Sequence, residues 1–128
     1  MVGAPKRFLL DTNFFLIPGQ FKVDVFEQLY KFGTGHFYTI NLVIDELKRL
    51  AKSRNRNAAH ARIALYLVKK QGVKILHARG KNTDAAIKRF AGNGYYIVCT
   101  QDRELIKALK KKKVPVITLR QKKYIVRA

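Results

Sequence analysis

The sequence predicts an α/β domain in which a mainly parallel sheet carries helices on both faces. Two observations lead there. Short apolar runs of strand type alternate with amphipathic stretches of helical period along the chain, and such alternation closes through right-handed crossovers into parallel pairs. The 128 residues, 48% of them hydrophobic, suffice for one domain with a real core.

The elements follow in order. Phe8-Leu9-Leu10 reads as a short buried strand, and Pro18-Gly19 breaks the stretch after it. Residues 24–32 form a helix with Val25, Phe26 and Leu29 on one face. Phe37-Tyr38-Thr39-Ile40 is the second strand, and Asn41 can cap the helix that follows, which ends near Ser53. A basic, Asn-rich turn (Arg54-Asn55-Arg56-Asn57) leads into a helix over 58–71, stopped by Gly72. Val73-Lys74-Ile75-Leu76 is the third strand. Asn82 or Thr83 caps a helix reaching Ala91, and Gly92-Asn93-Gly94 stops it. Residues 95–99 form the fourth strand, 101–113 a helix and 115–119 the fifth strand, while Tyr124-Ile125-Val126 can add a short edge segment. The lysine run from Lys110 to Lys113 suits the negative end of its helix dipole. No repeat or linker interrupts the pattern, so residues 1–128 read as a single domain.

Charge narrows the partner. Lys and Arg number 27 against 8 Asp and Glu, a formal net charge of +19, and such a surface draws a nucleic acid. No apolar run reaches the ~18 residues of a membrane span. The segment Met1-Val2-Gly3-Ala4-Pro5-Lys6-Arg7 lacks the apolar core of a secretory leader. Cys99 is the sole cysteine, which excludes an internal disulfide and a multi-cysteine zinc site and fits a cytoplasmic protein. Inside an apolar strand it reads as a small core residue.

Against this cationic background four acids stand out. Asp11 ends the first strand, Asp84 and Asp102 open helices after the third and fourth strands, and Glu46 lies early in the helix after the second. They are 35, 38 and 18 positions apart, yet each is expected at the C-terminal rim of the sheet, where open parallel sheets bind ligands. Glu46 is the most telling. It lies three residues from Val43 and four from Leu42 and Leu50, so it points with the buried stripe that includes Leu47. Asp45 shares the polar face with Asn41, Lys48, Arg49 and Lys52. A carboxylate beside a buried face needs a partner.

Each acid also has an ordinary structural reading. Asp11 could cap a turn, Asp84 and Asp102 could serve helix N-termini, and Glu46 could pair with Arg49. Their expected convergence in a chain so poor in acids favours chemistry. Carboxylate oxygens suit Mg²⁺ or Mn²⁺, which could activate water and stabilise the leaving oxygen of a phosphodiester. Repulsion among the acids should raise at least one pKa without metal. Asn13 and Thr100 could support the cluster or simply stabilise a turn and cap a helix. His36, His60 and His77 are scattered and form no competing site; His77, near the third strand's end, is the one best placed to touch RNA. Lys48, Arg49, Lys52, Arg54, Arg56 and Arg62 surround the Glu46 helix and the loop after it, and are the expected phosphate contacts.

Four segments together resemble the motifs of PIN domains: Phe8-Leu9-Leu10-Asp11-Thr12-Asn13, Ile44-Asp45-Glu46-Leu47, Asn82-Thr83-Asp84-Ala85-Ala86-Ile87 and Thr100-Gln101-Asp102-Arg103-Glu104-Leu105. They run in order over nearly the whole chain. The resemblance implies a three-layer α/β/α fold with a five-stranded parallel sheet in the order 3-2-1-4-5. It implies Mg²⁺- or Mn²⁺-dependent endonuclease activity, usually on single-stranded RNA. Asp11, Glu46, Asp84 and Asp102 match the acidic positions, with Asn13 and Thr100 as supporting polar ones. Residues 14–21 with Val23-Asp24-Val25-Phe26 look like the archaeal relatives of eukaryotic PIN proteins that process small-subunit ribosomal RNA, which implies pre-rRNA as substrate. The zinc motif of the eukaryotic proteins is not carried over. The alternatives are a VapC-type toxin ribonuclease, held by an antitoxin, and a non-catalytic RNA-binding scaffold. A homodimer is left open.

Overall fold

The strand-type runs pair into one six-stranded sheet in the order β3-β2-β1-β4-β5-β6. The computed structural model describes residues 5–128; the first four, part of the segment in which no secretory leader is expected, lie outside it. β1 (Lys6–Leu10) is central, between β2 (Gly35–Ile40) and β4 (Ile97–Cys99); β3 (Lys74–Leu76) lies beyond β2 and β5 (Val116–Arg120) beyond β4. These five strands are parallel, in the expected order. The edge segment becomes β6 (Tyr124–Arg127), which pairs antiparallel with β5. Gln121 and Lys122 make this reversal possible. Both hold positive φ, 54° and 57°, and Lys123 N–H closes the turn on Arg120 O at 3.1 Å.

Strands on the β2 side of β1 are reached through α1 (Thr12–Phe15), α2 (Ile17–Phe21), α3 (Val25–Leu29), a 3-10 turn (Tyr30–Phe32), α4 (Asn41–Lys52) and α5 (Ala58–Lys70). Strands on the β4 side are reached through α6 (Thr83–Ala91) and α7 (Arg103–Lys111). Right-handed crossovers in opposite directions put the two sets on opposite faces, and α1, α2, α4 and α5 pack on one another accordingly. The core beneath the first set is aromatic: Phe26 meets Phe37 edge-on at 4.9 Å, and Phe8 lies 6.0 Å from Phe37. Thr39 is buried among these apolar groups, and its hydroxyl donates to Leu10 O at 2.8 Å. Among the described residues no helix is long and apolar enough to cross a membrane.

Three expectations change. Pro18-Gly19 does not break the chain but lies inside α2, because proline is tolerated in a helix's first turn. Gly19 is there for space: a Cβ would stand 2.6 Å from His60 Nδ1 and 2.9 Å from His60 Cα. Asn41 does not cap α4. Its amide accepts from Ala78 N–H at 2.7 Å and donates to Ala78 O at 3.3 Å, tying α4 to the loop after β3. The fourth strand starts at Ile97, leaving Tyr95 and Tyr96 before it.

Candidate active site

Because β1 to β5 are parallel, the loops that follow them open on one rim. Asp11 is the residue after β1, and its N–H bonds across to Cys99 O at 3.0 Å. Its side chain caps α1, with Oδ1 accepting from Thr12 N–H at 2.8 Å. Oδ2 accepts from the Thr100 hydroxyl at 2.7 Å. Thr100 is buried just after β4, and its oxygen accepts in turn from Asp102 N–H at 3.1 Å. Asn13 Oδ1 accepts from Gln101 N–H at 2.9 Å and lies 3.4 Å from Thr100 Oγ1. Both supporting residues therefore do two things: they shape the loops after β1 and β4, and they hold those loops against Asp11.

Asp102 is the N-cap of α7; its Oδ1 accepts from Glu104 N–H at 3.0 Å and Leu105 N–H at 3.2 Å. Asp84 lies in the first turn of α6, which Asn82 caps through Ala85 N–H at 2.9 Å. Glu46 is half-buried on α4 between buried Val43 and Leu47, whereas Asp45 is exposed. The ordinary structural readings of Asp11 and Asp102 as caps thus hold beside any chemical one.

The four acids line one open pocket of about 270 Å³ with Thr12, Asn13, Leu16, Leu50 and Thr83. Four of the chain's 8 acidic residues gather here, and none of its 27 lysines and arginines lines the pocket. Burial, opposed by the hydrogen bonds from Thr100 and Thr12 and aided by the charges of Asp84 and Glu46, raises the Asp11 carboxyl to about 6. Asp84 is raised as well, by burial first and then by Asp102, against the pull of Lys88.

Among the described residues no three acidic, histidine or cysteine side chains form a ready cage for a cation. The acids ring a space rather than meet at a point. Mg²⁺ is commonly held by only one or two carboxylates and keeps several waters. An open pocket of hard oxygen donors, short of positive charge, fits a hydrated divalent cation.

Several lining groups were not anticipated from the sequence. Thr12 acts through its backbone, which no residue pattern marks. Leu50 lies one turn beyond Glu46 on the same stripe, and Thr83 adjoins Asp84, so both were findable by position. Gln101 ties the loop after β4 to β5, its Oε1 accepting from the Thr118 hydroxyl at 2.7 Å and from Leu119 N–H at 2.8 Å. The expected phosphate contacts Lys48, Arg49, Lys52, Arg54, Arg56 and Arg62 are all exposed, and none lines the acidic pocket. Arg62 also has a structural task, donating from Nη1 to Ala51 O at 3.0 Å across the α4–α5 turn. His36 and His77 are exposed and His60 is half-buried against α2. Cys99 is buried, and burial pushes its thiol well up.

Known proteins resemble this chain over most of its length. The family profile described as "PIN like domain" matches residues 8–122. Ribonuclease VapC4 of Methanocaldococcus jannaschii is 31% identical over 122 residues, spanning 92% of this chain and 93% of the relative. The solved PIN domain endonuclease Utp24 superposes with a TM-score of 0.74 at 25% identity, covering 98% of this chain and 92% of that one. A domain of a functionally unknown protein from Methanocaldococcus jannaschii shares the fold, with a TM-score of 0.63 at 18% identity over 90% of this chain and 91% of that one.

Proposed function

The chain belongs to the PIN-like domain family, and we propose that it is a Mg²⁺- or Mn²⁺-dependent endoribonuclease acting in ribosomal RNA processing, the last on the resemblance carried by residues 14–21 and 23–26. The observation that carries this reading is the acidic pocket. A protein with net charge +19 leaves four acids together without a cation among them, and Asp11 and Asp84 are raised in pKa. Burial is the main cause and neighbouring carboxylate charge the lesser one, and an external cation would offset both. The names of the two similar proteins, a ribonuclease and an endonuclease, support phosphodiester cleavage.

Asp11, Glu46, Asp84 and Asp102 would hold the ion. When bound, it supplies positive charge against the phosphodiester and makes water easier to deprotonate. The protein's own work is positional. Thr100 and Thr12 fix both oxygens of Asp11 and favour its ionised form. The capping bonds of Asp102 fix its carboxylate at the start of α7, and Leu16 and Leu50 form an apolar wall beside the acids. Lys48, Arg49, Lys52, Arg54, Arg56 and Arg62 would attract RNA to the surface around α4.

The test is cleavage of single-stranded and structured RNA with Mn²⁺. The reading requires cleavage that EDTA abolishes; equal cleavage by wild type and Asp11→Asn would sink the catalytic assignment. A toxin role has one specific support, the 31% identity to Ribonuclease VapC4. Growth arrest on expression, relieved by a co-purifying antitoxin, would favour that role over rRNA processing. Absence of Mn²⁺ binding in calorimetry would instead favour a non-catalytic scaffold.

A further inference from the structure

We infer that the outer face of α6 is the groove that holds the single-stranded RNA flanking the cut. The inference rests on the RNA-cleaving reading above and names where the strand lies. Two further hollows continue from the acidic pocket. The first, about 500 Å³, shares Asp84 with that pocket and adds Lys88, Arg89 and Lys112. The second, about 570 Å³, shares Arg89 with the first and adds His77, Arg79 and Phe90. The surface therefore changes in order from carboxylates, to cations, to an aromatic ring and an imidazole with more positive charge.

That order fits a polyanion. One phosphate lies at the cation-loaded acids, its neighbours meet Lys88, Arg89 and Lys112, and a base reaches His77 and Phe90. Single-stranded RNA is commonly read by such stacking on aromatic and histidine faces. Asp84 to Phe90 spans roughly 9 Å of helix, so these residues meet only a short stretch of strand. The far hollow is built rather than incidental. Arg89 Nη2 donates to Arg79 O at 3.0 Å, and the Asn41–Ala78 pair ties the same loop to α4. Gly80, with φ +82° and open space around it, gives the loop its bend. The α4 cations differ in that none of them lines these three hollows.

The experiment measures binding of 5′-fluorescein-labelled decauridylate in EDTA by anisotropy. It compares wild type, Lys88→Ala/Lys112→Ala, and the charge-matched Lys69→Ala/Lys70→Ala at the end of α5. The groove variant should bind several-fold more weakly, and its log–log salt slope should be shallower by about 1.4, at about 0.7 for each phosphate no longer neutralised. The α5 variant should stay close to wild type. His77→Ala should weaken binding while leaving the slope unchanged; wild-type affinity there would overturn the base-holding end. Equal affinity and slope for the two double variants would overturn the groove, even if wild type cleaves RNA with Mn²⁺. A protein that never cleaves RNA but binds it more weakly as Lys88→Ala/Lys112→Ala would overturn the nuclease reading and leave the groove standing.

Discussion

The Thr100 hydroxyl donates to Asp11 Oδ2 at 2.7 Å, joining residues 89 positions apart at the ends of two neighbouring strands. The bond favours the ionised carboxylate and so opposes the burial that pushes Asp11 up to about 6. Thr100→Val should raise the Asp11 pKa further and move the acidic limb of the pH–rate profile to higher pH. Activity should fall on the order of 10–100-fold, as for other residues that orient a metal ligand. Thr100→Ser should restore both. A Thr100→Val limb at the wild-type pH would mean that the hydroxyl does not act through Asp11.

Asp11 should also cost stability when no metal is present. Its folded pKa, about 6, lies above the ordinary aspartate value of 3.8. Below that lower value both states are protonated and there is no penalty. As pH rises the unfolded chain loses its proton first, so stability falls up to about pH 6 and the loss then levels off. The full effect is on the order of 3 kcal/mol. In EDTA, Asp11→Asn should therefore gain stability over wild type as pH rises from 4 to 7, and Mn²⁺ should narrow the gap by stabilising wild type alone. Thermal melts across that range check it. A stability difference that does not change with pH would contradict the assignment.

The sheet was legible because β1 to β5 are short apolar runs set apart by amphipathic helices, a pattern that fixes strand count and direction. The address of each acid followed from its place just after a strand or early in a helix. Glu46 and Asp45 were separable because helical geometry sends adjacent side chains to different faces. Other features depend on partners distant in sequence. Asn41 looks like a helix cap until Ala78 arrives beside it. Pro18-Gly19 looks like a break until Gly19 is seen against His60. The basic residues around α4 were visible as a cluster, whereas the hollows along α6 combine residues from the loop after β3, α6 and the end of α7, and only the folded chain assembles them.

The Asn41 clasp has a measurable cost. Asn41→Ala leaves the N–H of buried Ala78 without its 2.7 Å acceptor. An unsatisfied buried donor costs about 1–3 kcal/mol. The variant should melt at lower temperature, and the Ala78 amide should exchange faster than those of β1. Wild-type protection of that amide in Asn41→Ala would show that another group holds the loop.

The most direct test of the metal-nuclease account compares Glu46→Gln with Asp45→Asn in Mn²⁺-dependent cleavage of one single-stranded RNA. The two residues are adjacent on α4, and only Glu46 lines the acidic pocket. Cleavage abolished in Glu46→Gln and kept in Asp45→Asn is the predicted result. Cleavage kept in Glu46→Gln, or abolished equally in both, would contradict the account.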